Sequence, residues 1–342
     1  MVWWGQTVAT YESSMNAKAR APVQDSKVDL PCIFTGVQVY RRDTAFIWGV
    51  LKSLDEARIA HTFVVRWSGG TWKPYMIQRG VTSQCVVDAG YWQVFSLSPE
   101  GTVHIATPGR DYTEYIDQSE AGPSALRWML DIAAIGQSVF AAGMARMFYQ
   151  RVAPNQWVRA NQGAEPTDEE NVESGFRSIS GFGDVIVGVG FHGEIWERIG
   201  SIWRPRDSPT NVTLHCVRFT DDHRAFACGA GGVILKMDSG NWSIVEQDLT
   251  SDDFWSIQAF YDYIYFASRT SVYRLNKIDV LEEVDMGLAE ISTAGHLHAR
   301  DGLMWSVGSS DLVTFNGQTW TPVVPPMPPS SLSDKSRGDL RS

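Results

Sequence analysis

The chain has 342 residues and only four cysteines, and no two of them form a Cys-x-x-Cys pair. Structural zinc sites are commonly built from such pairs, so this absence argues against one. No apolar run approaches the roughly 18 residues that a membrane span needs. The first residues lack the basic start and apolar core of a secretory signal peptide. We therefore expect a cytoplasmic protein without a membrane span.

Catalytic signatures are also missing. The sequence contains no G-x-S-x-G elbow, no H-E-x-x-H and no phosphate-binding loop, and no pair of carboxylates stands out from the surface charge. His296 and His298 would share one strand face as a candidate metal pair, but a third ligand is not evident. The sequence predicts no catalytic residue, no metal site and no cofactor, and we expect a protein that is not an enzyme.

Net charge limits the partners. Lys and Arg number 29 against 39 for Asp and Glu, which gives −10. An acidic chain is a poor candidate for sequence-independent binding of nucleic acid. The apolar fraction of 44% is enough for a sizeable core, and the 30 glycines and 14 tryptophans favour short strands and tight turns.

An internal repeat carries most of the information. Each copy contains a strand, a glycine turn, a second strand, another turn and a large closing residue, and the closing residues recur every 39 to 46 positions. A period near 40 residues in a strand-rich chain is typical of a four-stranded propeller blade, as in WD40 repeats. The closing residues, which we interpret as packing between blades, are Trp72, Tyr115, Trp157, Trp203, Trp242, Leu281 and Trp320.

The repeat predicts an all-β propeller of seven four-stranded blades between residues 28 and 324. An apolar segment before each glycine strand is predicted to be the innermost strand, for example Phe176–Ser180, Leu214–Phe219 and Ile291–Ala294. Residues 2–11 are predicted to form a strand that joins the last blade and closes the ring, because an open ring leaves two exposed edges. Residues 12–27 are a polar connection, and the Pro/Ser-rich residues 325–342 a disordered tail.

Cys216 and Cys228 lie on predicted neighbouring strands, where a disulfide is geometrically conceivable. The alternative is that both are small buried thiols in a reducing compartment, and this is the interpretation we favour. Because a closed ring needs no second copy for stability, we expect a monomer.

The segment Gly229–Trp242, with its G-x-G-G-x-I-L-K phrase, resembles the seven-bladed propellers of the Ycf48-like type. Asp238–Trp242 and Asn316–Trp320 resemble Asp-box repeats of sialidases, although both depart from a complete box. The resemblance implies a propeller. A sialidase-like activity would further imply an arginine cluster at the axis, for which the candidates are Arg146, Arg177, Arg218 and Arg269.

Acidic residues cluster in segments that a propeller places on one face: the connections between blades and the loops inside the glycine hairpins. One interpretation is an ordinary solvated rim, and the other is a docking surface for a basic protein. The candidate partner-binding residues are Glu165, Asp168, Glu169, Glu170, Glu173, Glu194, Asp252, Asp253 and Asp311.

Two hypotheses of function follow. The first is a non-enzymatic protein-binding propeller, in its concrete form a stoichiometric inhibitor or immunity protein that covers a basic toxin. The alternative is a glycan-active enzyme or a lectin with its site at the central channel. The alternative requires arginine and carboxylate side chains that converge on the axis.

Overall fold

The computed structural model describes residues 31–126, 129–165 and 174–324, and they form seven sheets of four antiparallel strands. In every sheet the strands are adjacent in chain order, so one continuous segment builds each blade. The predicted seven-bladed β-propeller is therefore confirmed. The predicted closing strand (2–11), the polar connection (12–27) and the tail (325–342) lie outside the described residues.

The first four blades contain sixteen strands. Blade 1 contains β1 (Cys32–Arg41), β2 (Thr44–Leu51), β3 (Thr62–Ser68) and β4 (Thr71–Ile77). Blade 2 contains β5 (Ser83–Asp88), β6 (Trp92–Leu97), β7 (Thr102–Thr107) and β8 (Arg110–Tyr115). Blade 3 contains β9 (Met129–Ile135), β10 (Ser138–Gly143), β11 (Phe148–Ala153) and β12 (Gln156–Arg159). Blade 4 contains β13 (Phe176–Phe182), β14 (Val185–Gly190), β15 (Ile195–Ile199) and β16 (Ile202–Pro205).

The remaining three blades follow the same plan. Blade 5 contains β17 (Leu214–Phe219), β18 (Ala225–Gly229), β19 (Ile234–Asp238) and β20 (Asn241–Ile244). Blade 6 contains β21 (Ser256–Phe260), β22 (Tyr263–Ala267), β23 (Val272–Leu275) and β24 (Leu281–Glu283). Blade 7 contains β25 (Gly295–Arg300), β26 (Leu303–Gly308), β27 (Leu312–Phe315) and β28 (Trp320–Pro322). Helical pieces are short: α1 (Lys52–Glu56), α2 (Pro123–Leu126) and 3-10 turns at Phe191–Gly193 and Ala230–Gly232.

The first strand of each blade lies at the axis, where it contacts the first strands of both neighbouring blades. The apolar segments Phe176–Ser180 and Leu214–Phe219 are innermost strands, as predicted. Ile291–Ala294 is not. That segment precedes β25 and bends around Asp311, whose carboxylate accepts hydrogen bonds from the backbone N–H groups of Ser292 and Thr293.

Large apolar side chains fill the spaces between blades. Trp203 is 1% exposed and packs against Phe148 of blade 3 and Phe176 of its own blade, at ring distances of 4.9 and 4.8 Å. Its indole nitrogen donates to the carbonyl of Ala160 at 3.1 Å. Trp203 therefore joins blades 3 and 4 by burying its ring between them and by hydrogen-bonding its indole nitrogen.

The other closing residues vary in burial. Trp242, Leu281 and Trp320 are buried in clusters shared with the preceding blade, while Trp72 and Trp157 are half-buried. Tyr115 differs, since its side chain is 48% exposed. In blade 2 the register of β7 and β8 instead turns Tyr112 toward the core shared with blade 3. Tyr112 therefore takes the packing position for which the repeat spacing indicated Tyr115.

Backbone N–H groups on the inner strands are capped by side chains of the preceding blade. A strand edge that has no partner strand leaves such groups unpaired, and pairing them removes that cost. We call these hydrogen bonds the cross-blade caps. They run from Ile179 N to Asp131, from Val217 N to Ser178, from Phe219 N to Ser180 and from Leu297 N to Ser256, at 2.8 to 3.2 Å.

Blades 7 and 1 meet at a seam that is capped in the same way, but by imidazoles. His296 Nδ1 accepts from Val37 N at 3.4 Å, and His298 Nδ1 accepts from Val39 N at 3.1 Å. One backbone hydrogen bond, from Phe34 N to Ser309 O at 3.0 Å, also crosses the seam. The described part of the ring thus closes through side-chain and backbone contacts between its first and last blades.

Candidate functional site

Two kinds of connection emerge on one face of the ring: those between the second and third strands of a blade, and those between blades. They share a face because the four strands of a blade alternate in direction. We call it the inter-blade face. The predicted partner-binding carboxylates among the described residues all belong to these connections, whereas Asp168, Glu169, Glu170 and Glu173 lie outside the described residues.

Three of the predicted carboxylates are exposed on this face. Glu165 accepts a hydrogen bond from the backbone N–H of Gly163 at 2.7 Å, and Asp253 accepts one from Gly231 at 2.9 Å. Asp252 is exposed beside Asp253. These contacts orient the loops and leave carboxylate oxygens facing solvent, where a partner protein can reach them.

Glu194 has an intramolecular role. Its carboxylate forms a salt bridge with Arg146 of blade 3, in which the Arg146 Nε lies 2.6 Å from Oε1. Its second oxygen accepts from Gly175 N at 3.0 Å. The Arg146 guanidinium also lies over the Trp196 ring, 4.7 Å from its centre. Glu194 therefore holds the hairpin loops of blades 3 and 4 together.

Asp311 is likewise built into the fold. Its side chain is 9% exposed, and one oxygen accepts the Thr293 hydroxyl at 2.7 Å in addition to the two backbone N–H groups described above. A carboxylate with three donors on one oxygen is held by the loop that it organises. As partner-binding residues, Glu194 and Asp311 stay predictions.

Among the described residues, exposed carboxylates follow one another along the connections that link blades 5 to 7. The connection 245–255 enters blade 6, and the connection 284–294 enters blade 7. Together with the intervening hairpin loop 268–271 they contain one basic residue, Arg269. We call these three segments the acidic arc. Its exposed carboxylates are Glu246, Asp248, Asp252, Asp253, Asp285 and Glu290.

A channel of about 430 Å³ runs along the axis and is lined by residues of all seven innermost strands or their starts. Its lining is polar. Among the described residues that line it, Arg177, Arg218 and Arg300 are cationic, and Asp131 is the one carboxylate. Of the four arginines considered for a sialidase-like cluster, Arg177 and Arg218 lie here, while Arg146 and Arg269 lie in loops of the inter-blade face.

Both carboxylate oxygens of Asp131 accept hydrogen bonds from neighbouring blades. One oxygen accepts from the Ser83 hydroxyl of blade 2 at 2.8 Å, and the other accepts from the backbone N–H of Ile179 in blade 4 at 2.8 Å. Burial raises the pKa of Asp131 above its ordinary value. A glycosidase of the usual kind needs two carboxylates on either side of the bond it cleaves. The described channel lining provides one, and it is engaged in cross-blade hydrogen bonds.

Three histidines also line the channel. Burial, and to a smaller extent the positive charge of Arg218, lowers the pKa of His296 to about 4. The pKa of His298 is lowered well below its ordinary value, again by burial first and by Arg218 second. His215 stacks on Trp255 at a ring distance of 4.2 Å, and burial lowers its pKa to about 4. All three imidazoles are therefore neutral near pH 7.

The predicted absence of a metal site can be compared with the geometry. The described residues contain no group of three or more His, Cys, Asp or Glu side chains placed to hold a metal ion. Within the same ranges, no helix is long and apolar enough to cross a membrane. His296 and His298 instead use one ring nitrogen each in the seam.

Sequence reasoning missed the cross-blade caps and part of the acidic arc. The caps had a signal: a polar residue within an otherwise apolar innermost strand, as at Ser178, Ser180 and Ser256. Glu246 and Asp248 were missed because they follow a short fourth strand and lie outside the compact acidic pairs.

The described residues thus form a seven-bladed β-propeller with a polar, arginine-lined cavity at its axis. No protein-family profile matches the chain. The immune protein Tsi7 of Pseudomonas aeruginosa is 34% identical over 293 residues, which cover 84% of this chain and 95% of that protein. The chain therefore belongs to the family of Tsi7.

Solved propellers share the fold at low identity. A structure of YCF48 with a bound D1 peptide has a TM-score of 0.62 at 15% identity and covers 87% of this chain and 95% of that chain. Virginiamycin B lyase of Staphylococcus aureus has a TM-score of 0.64 at 11% identity and covers 84% of this chain and 95% of its own. The Ycf48-like resemblance noted in the sequence thus extends over the fold.

Proposed function

We propose that this chain is an immunity protein that neutralises a toxic protein by binding it in a stoichiometric complex on the inter-blade face. The observation that carries the proposal is its identity with the immune protein Tsi7 over 95% of that protein. A ring of packed blades presents its loops in a fixed arrangement, and a preorganised surface loses little entropy on binding.

The acidic arc is the proposed docking surface. Its six exposed carboxylates face solvent around a single arginine. Such a surface favours a basic partner, because opposite potentials speed association and exclude partners of the wrong charge. Leu249 lies in the same arc and is 48% exposed, which adds an apolar contact within the charged surface.

We propose further that the protein acts by binding alone, as a monomer in the cytoplasm. The hydrogen bonds of Asp131 support the first point, because they occupy both oxygens of the one carboxylate in the described channel lining. The four buried, free thiols suit a reducing compartment. Closure of the ring by contacts within one chain supports a monomer.

The test is capture of the partner from extract of the native cells with the tagged protein, at low and at high salt, followed by mass spectrometry. We expect one basic protein in stoichiometric amount, lost at high salt, whose activity falls when the propeller is added. Absence of any stoichiometric partner at both salt concentrations would overturn the immunity proposal.

A charge-neutral triple variant tests the docking surface separately. We expect D248N/D252N/D253N to bind the captured partner more weakly and with a smaller salt dependence. The matched control is D184N/D221N/D238N, since these three carboxylates are exposed in hairpins of the opposite face. If the arc variant loses no more binding than the control, the acidic arc is not the docking surface and the partner binds elsewhere on the ring. The proposed immunity function would be unaffected by that result.

A further inference from the structure

We infer that the central channel is a binding site for a small oxyanion, a phosphate or carboxylate group, held by the guanidinium of Arg218 and the Nε2–H groups of His296 and His298. Arg177 adds a second cation nearer the inter-blade face. This inference concerns the channel, so it stands independently of the proposed function.

The charge of the channel is opposite to that of the protein. The chain carries a net charge of −10, yet the described channel lining contains three arginines and one carboxylate. Arginines in a narrow cleft concentrate positive potential, because the surrounding walls have a low dielectric constant and focus the field. An anion is the ligand that such a cleft attracts.

The two central arginines lack protein partners for buried donors. The Nε atoms of Arg177 and Arg218 are buried and have no hydrogen-bond partner among the described residues. Leaving a buried cationic donor unpaired is costly, and an arginine provides a forked set of donors that matches the geometry of carboxylate and phosphate.

The imidazoles of His296 and His298 supply further donors to the channel. Each Nδ1 accepts a backbone N–H across the seam, so the proton of the neutral ring lies on Nε2. His296 and His298 both line the channel, and the positive charge of Arg218 acts on both. Two neutral N–H donors and a guanidinium thus line one cavity. Asp131 is the one carboxylate of the described lining and interacts with the charge of Arg218, but each of its oxygens already accepts a hydrogen bond from the fold, and three arginines outnumber it.

The cavity has room for more than a bare ion. Its volume of about 430 Å³ falls within the range of small-molecule sites in proteins. Trp255, which lines the same channel, is covered by His215 on one face and lies 4.9 Å from the Arg269 guanidinium. The ligand class is thus a small organic or inorganic anion of the phosphate or carboxylate type.

The experiment titrates inorganic phosphate and citrate separately into the full-length protein at matched ionic strength, by calorimetry. Saturable binding of at least one probe is expected. Arg218→Gln should weaken that binding roughly 10- to 100-fold, as expected for loss of a charge-assisted hydrogen bond. Arg204→Gln removes the same charge from an exposed position on the outer strand β16 and should leave binding unchanged.

Histidine-selective NMR gives a readout that general destabilisation would not mimic. The Nε2 resonances of His296 and His298 should move with the bound probe in the native protein and in Arg218→Lys, which keeps the charge. In Arg218→Gln they should stay fixed at the probe concentration that saturates the native protein. Binding of phosphate alone or citrate alone supports the inference and assigns the oxyanion. Absence of saturable binding by both, or equal binding by native protein and Arg218→Gln, would overturn it.

Discussion

Glu114 of blade 2 and Arg151 of blade 3 form a two-point ion pair: Nε lies 2.8 Å from Oε2, and Nη2 lies 2.7 Å from Oε1. The Trp157 indole donates to Oε2 at 3.0 Å. Burial is the largest single influence and opposes ionisation of Glu114, but the hydrogen bonds from Arg151, Asn155 and Trp157 and the charge of Arg151 together outweigh it, so the pKa of Glu114 lies below its ordinary value. The buried carboxylate thus joins two blades.

Removing that charge should destabilise the ring strongly. Glu114→Gln leaves the Arg151 guanidinium without its counter-ion between the blades, and breaking a buried pair from one side costs about 3 to 5 kcal/mol. The free energy of unfolding, measured by denaturant titration, gives the result. Glu120→Gln, at an exposed loop position, is the control and should change it by less than about 0.5 kcal/mol. A loss equal to that of the control would mean that the pair contributes nothing.

The Trp203 contact should be one of the strongest between blades. Trp203→Ala removes a side chain that is 1% exposed and leaves a cavity against Phe148 and Phe176, at a cost of about 3 to 5 kcal/mol. Ile202→Ala, next to it and 45% exposed, should cost far less. Thermal unfolding of the two variants distinguishes them, and similar melting temperatures would contradict the packing role.

Stability should fall on acidification through the channel histidines. The pKa values of His215 and His296 are about 4 in the fold, against about 6.5 in the unfolded chain, so the unfolded state binds protons first as the pH falls. Each such histidine lowers the free energy of unfolding by up to about 1.4 kcal/mol per pH unit between these values. Protonation of His296 or His298 also removes the acceptor for a seam N–H.

The measurement is the melting temperature between pH 7 and pH 4. The double variant H296Q/H298Q, which keeps hydrogen-bond acceptors without titrating, should show a flatter profile than the native protein. His223→Asn, at an exposed position, should not. The raised pKa of Asp131 acts in the opposite direction, and it is shared by all three proteins, so their differences isolate the histidines.

The four cysteine thiols should be unreactive toward thiol reagents in the native protein. Cys216 and Cys228 face each other across β17 and β18, and both are free, as are Cys32 and Cys85. Burial raises the pKa of Cys32 to about 11 and that of Cys85 further, which suppresses the reactive thiolate. A thiol reagent should therefore label none of them until denaturant is added, and then all four.

A positive control for this labelling is Ser201→Cys, at an exposed turn, which should react at once in the folded state. Fewer than four reactive thiols after unfolding without reductant would reveal a disulfide between Cys216 and Cys228, the alternative that their strand positions left open.

The repeat spacing was enough to predict the blades because strand length and turn chemistry are local properties. It failed where register decides which way a side chain faces. Tyr115 and Tyr112 are both in β8, and their pairing with β7 exposes the first and packs the second. The same is true at the axis. Arg218 was a candidate from the sequence, but the alternation of side chains along a strand left open which face it occupies. The structure places it in the channel.

Because imidazoles cap them, the backbone amides of Val37 and Val39 report whether the ring is closed. The N–H groups of Val37 and Val39 are held by side chains of another blade and not by the ladder of their own sheet. Their hydrogen exchange therefore reports parting of the first and last blades, even while every blade stays intact. Ladder amides of β2 and β3 report the melting of blade 1 itself. One hydrogen-exchange experiment thus distinguishes opening of the ring between blades 7 and 1 from unfolding of blade 1.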